Sequence, residues 1–107
     1  MDTVNPLNID MIKSFGDKAT SDLFHGIMSS KVRKLPTQIL DSAIYKLDML
    51  NAATSMNDLQ SPPGNQLEAL RGDYKGYQSI RINNQWRIVF RWQASNAYDD
   101  AIFDYHS

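Results

Sequence analysis

Arg71, Arg81, Arg87, Arg91, Glu68, Asp104, Tyr105 and His106 all fall in one stretch, Leu67 to His106, reading LEALRGDYKGYQSIRINNQWRIVFRWQASNAYDDAIFDYH, together with Tyr77 and Lys75. A guanidinium presents a planar fork of donors matched to phosphate oxygens, so the chemistry on offer is recognition of a phosphate. Whether the stretch delivers it depends on which of these side chains share a surface.

Gln78, Ile80 and Ile82 alternate along one segment, and Trp86, Ile88, Phe90 and Trp92 along the next. Both segments read as half-buried strands. A three-residue loop, Asn83-Asn84-Gln85, pairs Ile82 with Trp86, Ile80 with Ile88 and Gln78 with Phe90, whereas a two-residue loop sets Ile82 against Arg87. Cross-strand partners share a face, so parity selects the three-residue loop. Asparagine also tolerates the left-handed backbone that such loops use. The opposite face then carries Arg81 across from Arg87, Ser79 from Val89 and Tyr77 from Arg91. Like charges directly opposed destabilise a sheet by tenths of a kcal/mol, roughly, so this face requires solvent, bridging carboxylates or an anionic ligand. Composition alone favours a solvated outer face laced by Asp99, Asp100 or Asp104 from the following strand. The sharper alternative is a phosphate- or RNA-binding surface of Arg81, Arg91, Tyr77 and neighbouring Lys75.

The 107 residues suffice for one ordinary domain, and an apolar fraction of 42% suffices for its core. No internal repeat, low-complexity run or apolar stretch of membrane-spanning length interrupts the chain, which predicts a soluble protein without membrane partners. Residues 1–10 lack the basic and apolar regions of a secretory signal and read as a flexible leader to a single domain over 11–107, with a cytoplasmic location as the expectation. Absence of cysteine excludes disulfides and thiolate chemistry, and His25 and His106 lie too far apart in sequence to support a His-based metal site, so no cofactor is expected. Eleven basic residues against twelve acidic ones give a net charge of −1, which is not the footprint of a general nucleic-acid binder. Any binding to RNA or DNA must come from a local patch.

Met11-Ile12-Lys13-Ser14-Phe15 alternates apolar and polar and reads as a short first strand. Asp17 to Ser29 carries Ala19, Leu23, Phe24 and Ile27 at helical spacing, with Asp17 and Asp22 towards the N-terminal end where the helix dipole favours anions. Pro36 opens a second, longer helix whose apolar stripe of Leu40, Ala43, Ile44, Leu47 and Leu50 runs to about Ala53. The connector from Asn51 to Gln66, centred on Ser61-Pro62-Pro63-Gly64-Asn65, is turn chemistry throughout. Strand, helix, helix and then three or four clustered strands predict an α+β domain, two helices packed on a small, mostly antiparallel twisted sheet in the order β-α-α-β-β-β.

A leading MIKSF, a mid-chain SPPGNQLEAL followed by RG, then GYQSIRINNQWRIVFRW and a terminal DYH together resemble the HigB branch of the RelE/ParE-like bacterial toxins, over about Met11 to His106. The resemblance implies a RelE-like fold and a toxin of a type II toxin-antitoxin system. It further implies a ribosome-dependent endoribonuclease that cuts mRNA in the decoding site and is neutralised by a HigA-type helix-turn-helix antitoxin. In such cleavage the ribose 2′-OH attacks the adjacent phosphorus and a 5′-OH leaves, without a metal. Side chains must withdraw a proton, stabilise the phosphorane charge and protonate the leaving oxygen.

By this resemblance Arg87 stabilises the developing phosphate charge, and Arg71 holds the substrate backbone or assists it. Asp104, Tyr105 and His106 match the family's terminal Asp-Tyr-His, whose residues are needed for activity. His106 is the natural general acid or base, because an unperturbed imidazole titrates near pH ~6.5. Tyr105 stacks on a base or, beside an arginine, donates a proton. Glu68 stands where some HigB proteins carry a catalytic histidine, and serves either as base or in a salt bridge to Arg71 or Arg87. The alternative in a different class is a ParE-like gyrase poison without nuclease chemistry, against which Arg71, Arg87 and His106 together argue. A third is an attenuated toxin acting mainly as an antitoxin-binding co-repressor.

Overall fold

Asp17 starts the first helix by accepting a hydrogen bond from the Thr20 amide at 2.8 Å. The computed structural model describes residues 11–60 and 63–105, so the leader, Ser61-Pro62 and His106 lie outside the described residues. Helix α1 spans Lys18–Phe24, shorter than the Asp17 to Ser29 expected. Gly26, at φ +77°, turns the chain left-handed, and the Ile27 amide bonds back to the Asp22 carbonyl at 2.8 Å. Ile27 therefore leaves the apolar stripe and is 52% exposed. Ser29 then caps a second short helix, α2, Ser30–Arg33.

Pro36 precedes a 3-10 turn, Thr37–Ile39, from which the long helix α3, Leu40–Ala52, continues. Its expected stripe is the core: Ala43, Leu47 and Leu50 are fully buried, with Leu40 and Ile44 packed beside them. The connector is not turn chemistry throughout. It holds helix α4, Met56–Gln60, and a 3-10 turn, Pro63–Asn65, and buries both Leu59 and Asn65 completely. The Pro-Gly-Asn run masked a preceding short helix in which Met56 and Leu59 alone turn inward, too little for periodicity to reveal.

Strands β1 (Glu68–Ala69), β2 (Tyr77–Arg81), β3 (Trp86–Gln93) and β4 (Asn96–Asp104) form an antiparallel meander in that order. The α+β architecture agrees with expectation, and so does the β2–β3 register: Ile80 pairs with Ile88, Gln78 with Phe90, Arg81 with Arg87, Ser79 with Val89 and Tyr77 with Arg91. The loop works differently from the expected left-handed asparagine. Asn83 Oδ1 accepts from the Gln85 and Trp86 amides, each at 2.8 Å, and so replaces the missing ladder bonds. Ile80, Ile88, Phe90, Ala97 and Ile102 face the helices and close the core.

Met11 to Phe15 does not form a continuous strand. It touches the far edge of β4 in two parallel bridges, Ile12 to Ala97 and Phe15 to Asp100. Between them β4 bulges: two of its residues, Asp99 and Asp100, answer Phe90 alone, with Asp99 at φ +58°. The bulge sends the two carboxylates to opposite faces. Asp100 is thereby fully buried rather than lacing the outer face, and neither of its oxygens has a hydrogen-bonding partner among the described residues. Gly16 fits against this bulge because an added Cβ would come within 2.9 Å of the Asp99 carbonyl oxygen.

Candidate active site on the arginine face of the sheet

Residues two apart on a strand point the same way, so β2 and β3 present Ser79, Arg81, Arg87, Val89 and Arg91 away from the helices. Arg87 is enclosed there, only 7% exposed. Its Nε donates to Ser79 Oγ at 2.7 Å, and its Nη2 donates to the carbonyl of Gln66. Ser79 is fully buried beneath it. Gln66 has a left-handed backbone, φ +44°, and follows the buried Asn65. That asparagine is fixed on both ends: Lys46 Nζ donates to its Oδ1, while its Nδ2 donates to the Leu59 carbonyl at 3.0 Å. The connector is thus pinned to helix α3 where it meets Arg87.

Two further groups approach the guanidinium. β1 sets Glu68 across from Ser79, which brings Glu68 Oε1 to 4.0 Å from Arg87 Nη2 with the carboxylate side chain half exposed. The Tyr105 amide donates to the Gln85 carbonyl at 2.6 Å, carrying the chain one residue past β4 and setting the Tyr105 ring 5.4 Å from the Arg87 guanidinium carbon. Burial pulls the Arg87 pKa below the usual arginine value, and Glu68 and Tyr105 partly offset that. At neutral pH the group remains a cation. Its close contacts are neutral acceptors and its carboxylate neighbour is loose, so its charge is oriented without being neutralised.

The remaining candidates divide. Arg81 donates from Nη2 to Asn84 Oδ1 in the hairpin loop and adds positive charge beside Arg87. Arg91 is engaged: its Nε donates to Asp99 Oδ2 at 2.8 Å, its guanidinium lies 5.5 Å from the Tyr98 ring centre, and the bond to Asp99 raises its pKa. Of the carboxylates expected to bridge this face, Asp99 is the one seen bonded to an arginine among the described residues. Arg71 and Lys75 are exposed at either end of a 3-10 turn, Gly72–Tyr74, that rises over the sheet. Tyr77 meets Tyr74 edge to face at 5.7 Å. Asp104 pairs with Trp86, giving it the parity of the other face, and Gln85 Nε2 donates to both of its oxygens at 3.3 Å. The structure thus brings Glu68, Arg81, Arg87 and Tyr105 together and leaves Asp104 and Arg91 apart from them. Sequence reasoning missed Ser79 and Gln66 as holders of Arg87. Parity had already put Ser79 on the arginine face, whereas a backbone carbonyl leaves no trace in residue type. Among the described residues no group of three or more His, Asp or Glu side chains is placed to hold a metal ion.

A family model described as a RelE-like toxin of the type II toxin-antitoxin system HigB matches residues 13–106. The chain is 38% identical over 93 residues to a Vibrio cholerae protein named Toxin HigB-1, covering 84% of this chain and 96% of that one. It is 35% identical over 96 residues to Endoribonuclease HigB of Proteus vulgaris, covering 90% of this chain and 100% of the relative.

Proposed function

This chain belongs to the HigB-like family of RelE-like toxins of type II toxin-antitoxin systems, and from that premise we propose that it is an endoribonuclease that cuts mRNA on the ribosome and is restrained by a HigA-type antitoxin. The observation that carries the chemistry is Arg87, an arginine held by neutral acceptors on a half-enclosed face. A preorganised cation in a partly desolvated site stabilises charge that appears during a reaction better than one that must first reorient.

The scissile phosphate sits over the open edge of Arg87, between Glu68 and Tyr105. Its neighbouring 2′-OH gives its proton to the half-exposed Glu68 carboxylate as the oxygen attacks phosphorus. Arg87, with Arg81 behind it, meets the charge of the phosphorane. Arg71, exposed at the start of the Gly72–Tyr74 turn, holds the RNA backbone. The tail protonates the departing 5′-oxygen: His106 carries that role from the family resemblance, and Tyr105 stacks on the adjoining base. Asp104 contributes through Gln85, fixing the hairpin loop beside Arg81. No helix among the described residues is long and apolar enough to cross a membrane, and none of these steps needs one.

Primer extension on a reporter mRNA in a purified translation system tests the reading. Codon-phased cuts that require ribosomes, and weaken in Arg87→Ala and His106→Ala, are expected. Uncut mRNA with translation intact would sink the nuclease reading and point to a gyrase contact, or to a toxin without its chemistry, instead.

A further inference from the structure

A second feature of the outer face takes no part in the steps above. Tyr74, on the 3-10 turn, packs edge to face on Phe103 at 5.1 Å and on Tyr77 at 5.7 Å, although all three lie on the side of the sheet away from the core. With Phe15 they wall a groove of about 450 Å³ floored by Val89 and Ala101. That volume falls within the ~300–1,000 Å³ typical of small-ligand sites. Asp17 and Asp99 stand on its rim, and no lysine or arginine lines it.

Position and charge identify the occupant. Phe103 is the direct cross-strand partner of Arg87, so one wall of the groove adjoins the proposed phosphate position. Val89 is one same-face step along β3 from Arg87, ~7 Å at ~3.4 Å per residue, about the reach from a nucleotide's phosphate to its own base. No lysine or arginine lines the groove to draw a second phosphate into it, and Arg91 beside Asp99 is already paired with that carboxylate. Aromatic walls suit the face of a base. We propose that this groove is a nucleobase subsite, which holds the base of a nucleotide adjoining the scissile phosphate over Val89 and Ala101 and against the cluster of the Tyr74, Tyr77 and Phe103 rings. The proposal rests on the nuclease reading and deepens it.

The test uses the full chain on ribosomes carrying mRNA in which each base of the cleaved codon is removed in turn to leave an abasic nucleotide. With the wild type, one abasic position slows cleavage about tenfold or more, as loss of a base–aromatic stack does. In Phe103→Leu and Tyr77→Leu, which keep bulk and lose the ring, that penalty shrinks towards onefold, and Tyr77→Phe restores it. Ala101→Leu, which fills the floor, raises KM with little change in kcat at saturation. Equal penalties in wild type and ring variants would overturn the subsite while the nuclease reading stands. Equal penalties combined with lost antitoxin affinity in those variants would reassign the groove to the antitoxin. No cleavage by the wild type on any codon would overturn both.

Discussion

Arg87 and Arg91 stand two same-face steps apart on one strand, yet the fold treats them oppositely. Arg87 is buried, bonded to a serine hydroxyl and a backbone carbonyl, and its pKa is lowered by burial. Arg91 is 40% exposed, carries a carboxylate at 2.8 Å, and its pKa is raised by that bond. An arginine whose charge is cancelled by a partner serves the sheet, whereas one whose charge is oriented and left unmatched is available to a substrate. The β4 bulge repeats the contrast with carboxylates: Asp99 faces out and pairs with Arg91, while Asp100 faces in without a hydrogen-bonding partner among the described residues.

The sharpest way to break the comparison is to truncate both arginines. Arg87→Ala should slow mRNA cleavage about 10²–10³-fold, the scale of losing one preorganised charge stabiliser. Arg91→Ala should leave the rate within about threefold, since its guanidinium is occupied by Asp99 and an exposed ion pair contributes little. Equal losses in a single-turnover assay would show that the pairing with Asp99 does not set Arg91 apart.

The next effect is on stability. Burial, with the Asp99 charge adding to it, pushes the Asp100 carboxyl up to about 8. A carboxyl whose folded pKa lies above its unfolded one keeps its proton only in the native state between the two values. Its favourable contribution is complete below pH ~4 and is lost as pH rises towards 8, by up to about 1.4 kcal/mol per pH unit. Thermal melts from pH 5 to pH 8 should show Tm falling in the wild type and falling less in Asp100→Asn. Parallel curves would mean that Asp100 is ionised inside the fold.

Ser79→Ala should then cost about 1–3 kcal/mol by leaving the Arg87 Nε without its acceptor. It should lower kcat more than it raises KM, and Ser79→Thr should recover part of that loss. The smallest effect belongs to Asp99→Asn, which loosens Arg91 and should barely move the midpoint of chemical denaturation. A larger loss would place the bulge, rather than the ion pair, at the centre of that region.

What the sequence disclosed follows from how side chains constrain one another. The β2–β3 register was legible because parity leaves one loop length that keeps Ile82 off Arg87, and Ile80, Ile88 and Phe90 then fix the inner face. The stripe of α3 was legible for the same reason, with Ala43, Leu47 and Leu50 recurring at helical spacing. The early end of α1 was hidden because one glycine weighs little against Ile27 in a periodicity argument, although the left-handed turn at Gly26 satisfies the helix carbonyls. The bulge had a signal that passed unused. Ala97 and Ile102 both face inward but have opposite parity, which an unbroken strand cannot allow. The hold on Arg87 was hidden differently, since Gln66 acts through its backbone and Asn65 through partners scattered over Lys46 and Leu59.

The two edges of the sheet have a consequence for the protein in the absence of its antitoxin. β1 is only two residues long and begins with a charge, and the segment from Met11 to Gly16 occupies the outer edge of β4 through backbone bonds at Ala97 and Asp100. A sheet grows into fibrils by recruiting further strands onto a long, flat, unpaired border, and both borders here are shortened, charged or already taken. When its antitoxin is absent, this toxin is therefore protected at both borders of its sheet against polymerising edge to edge.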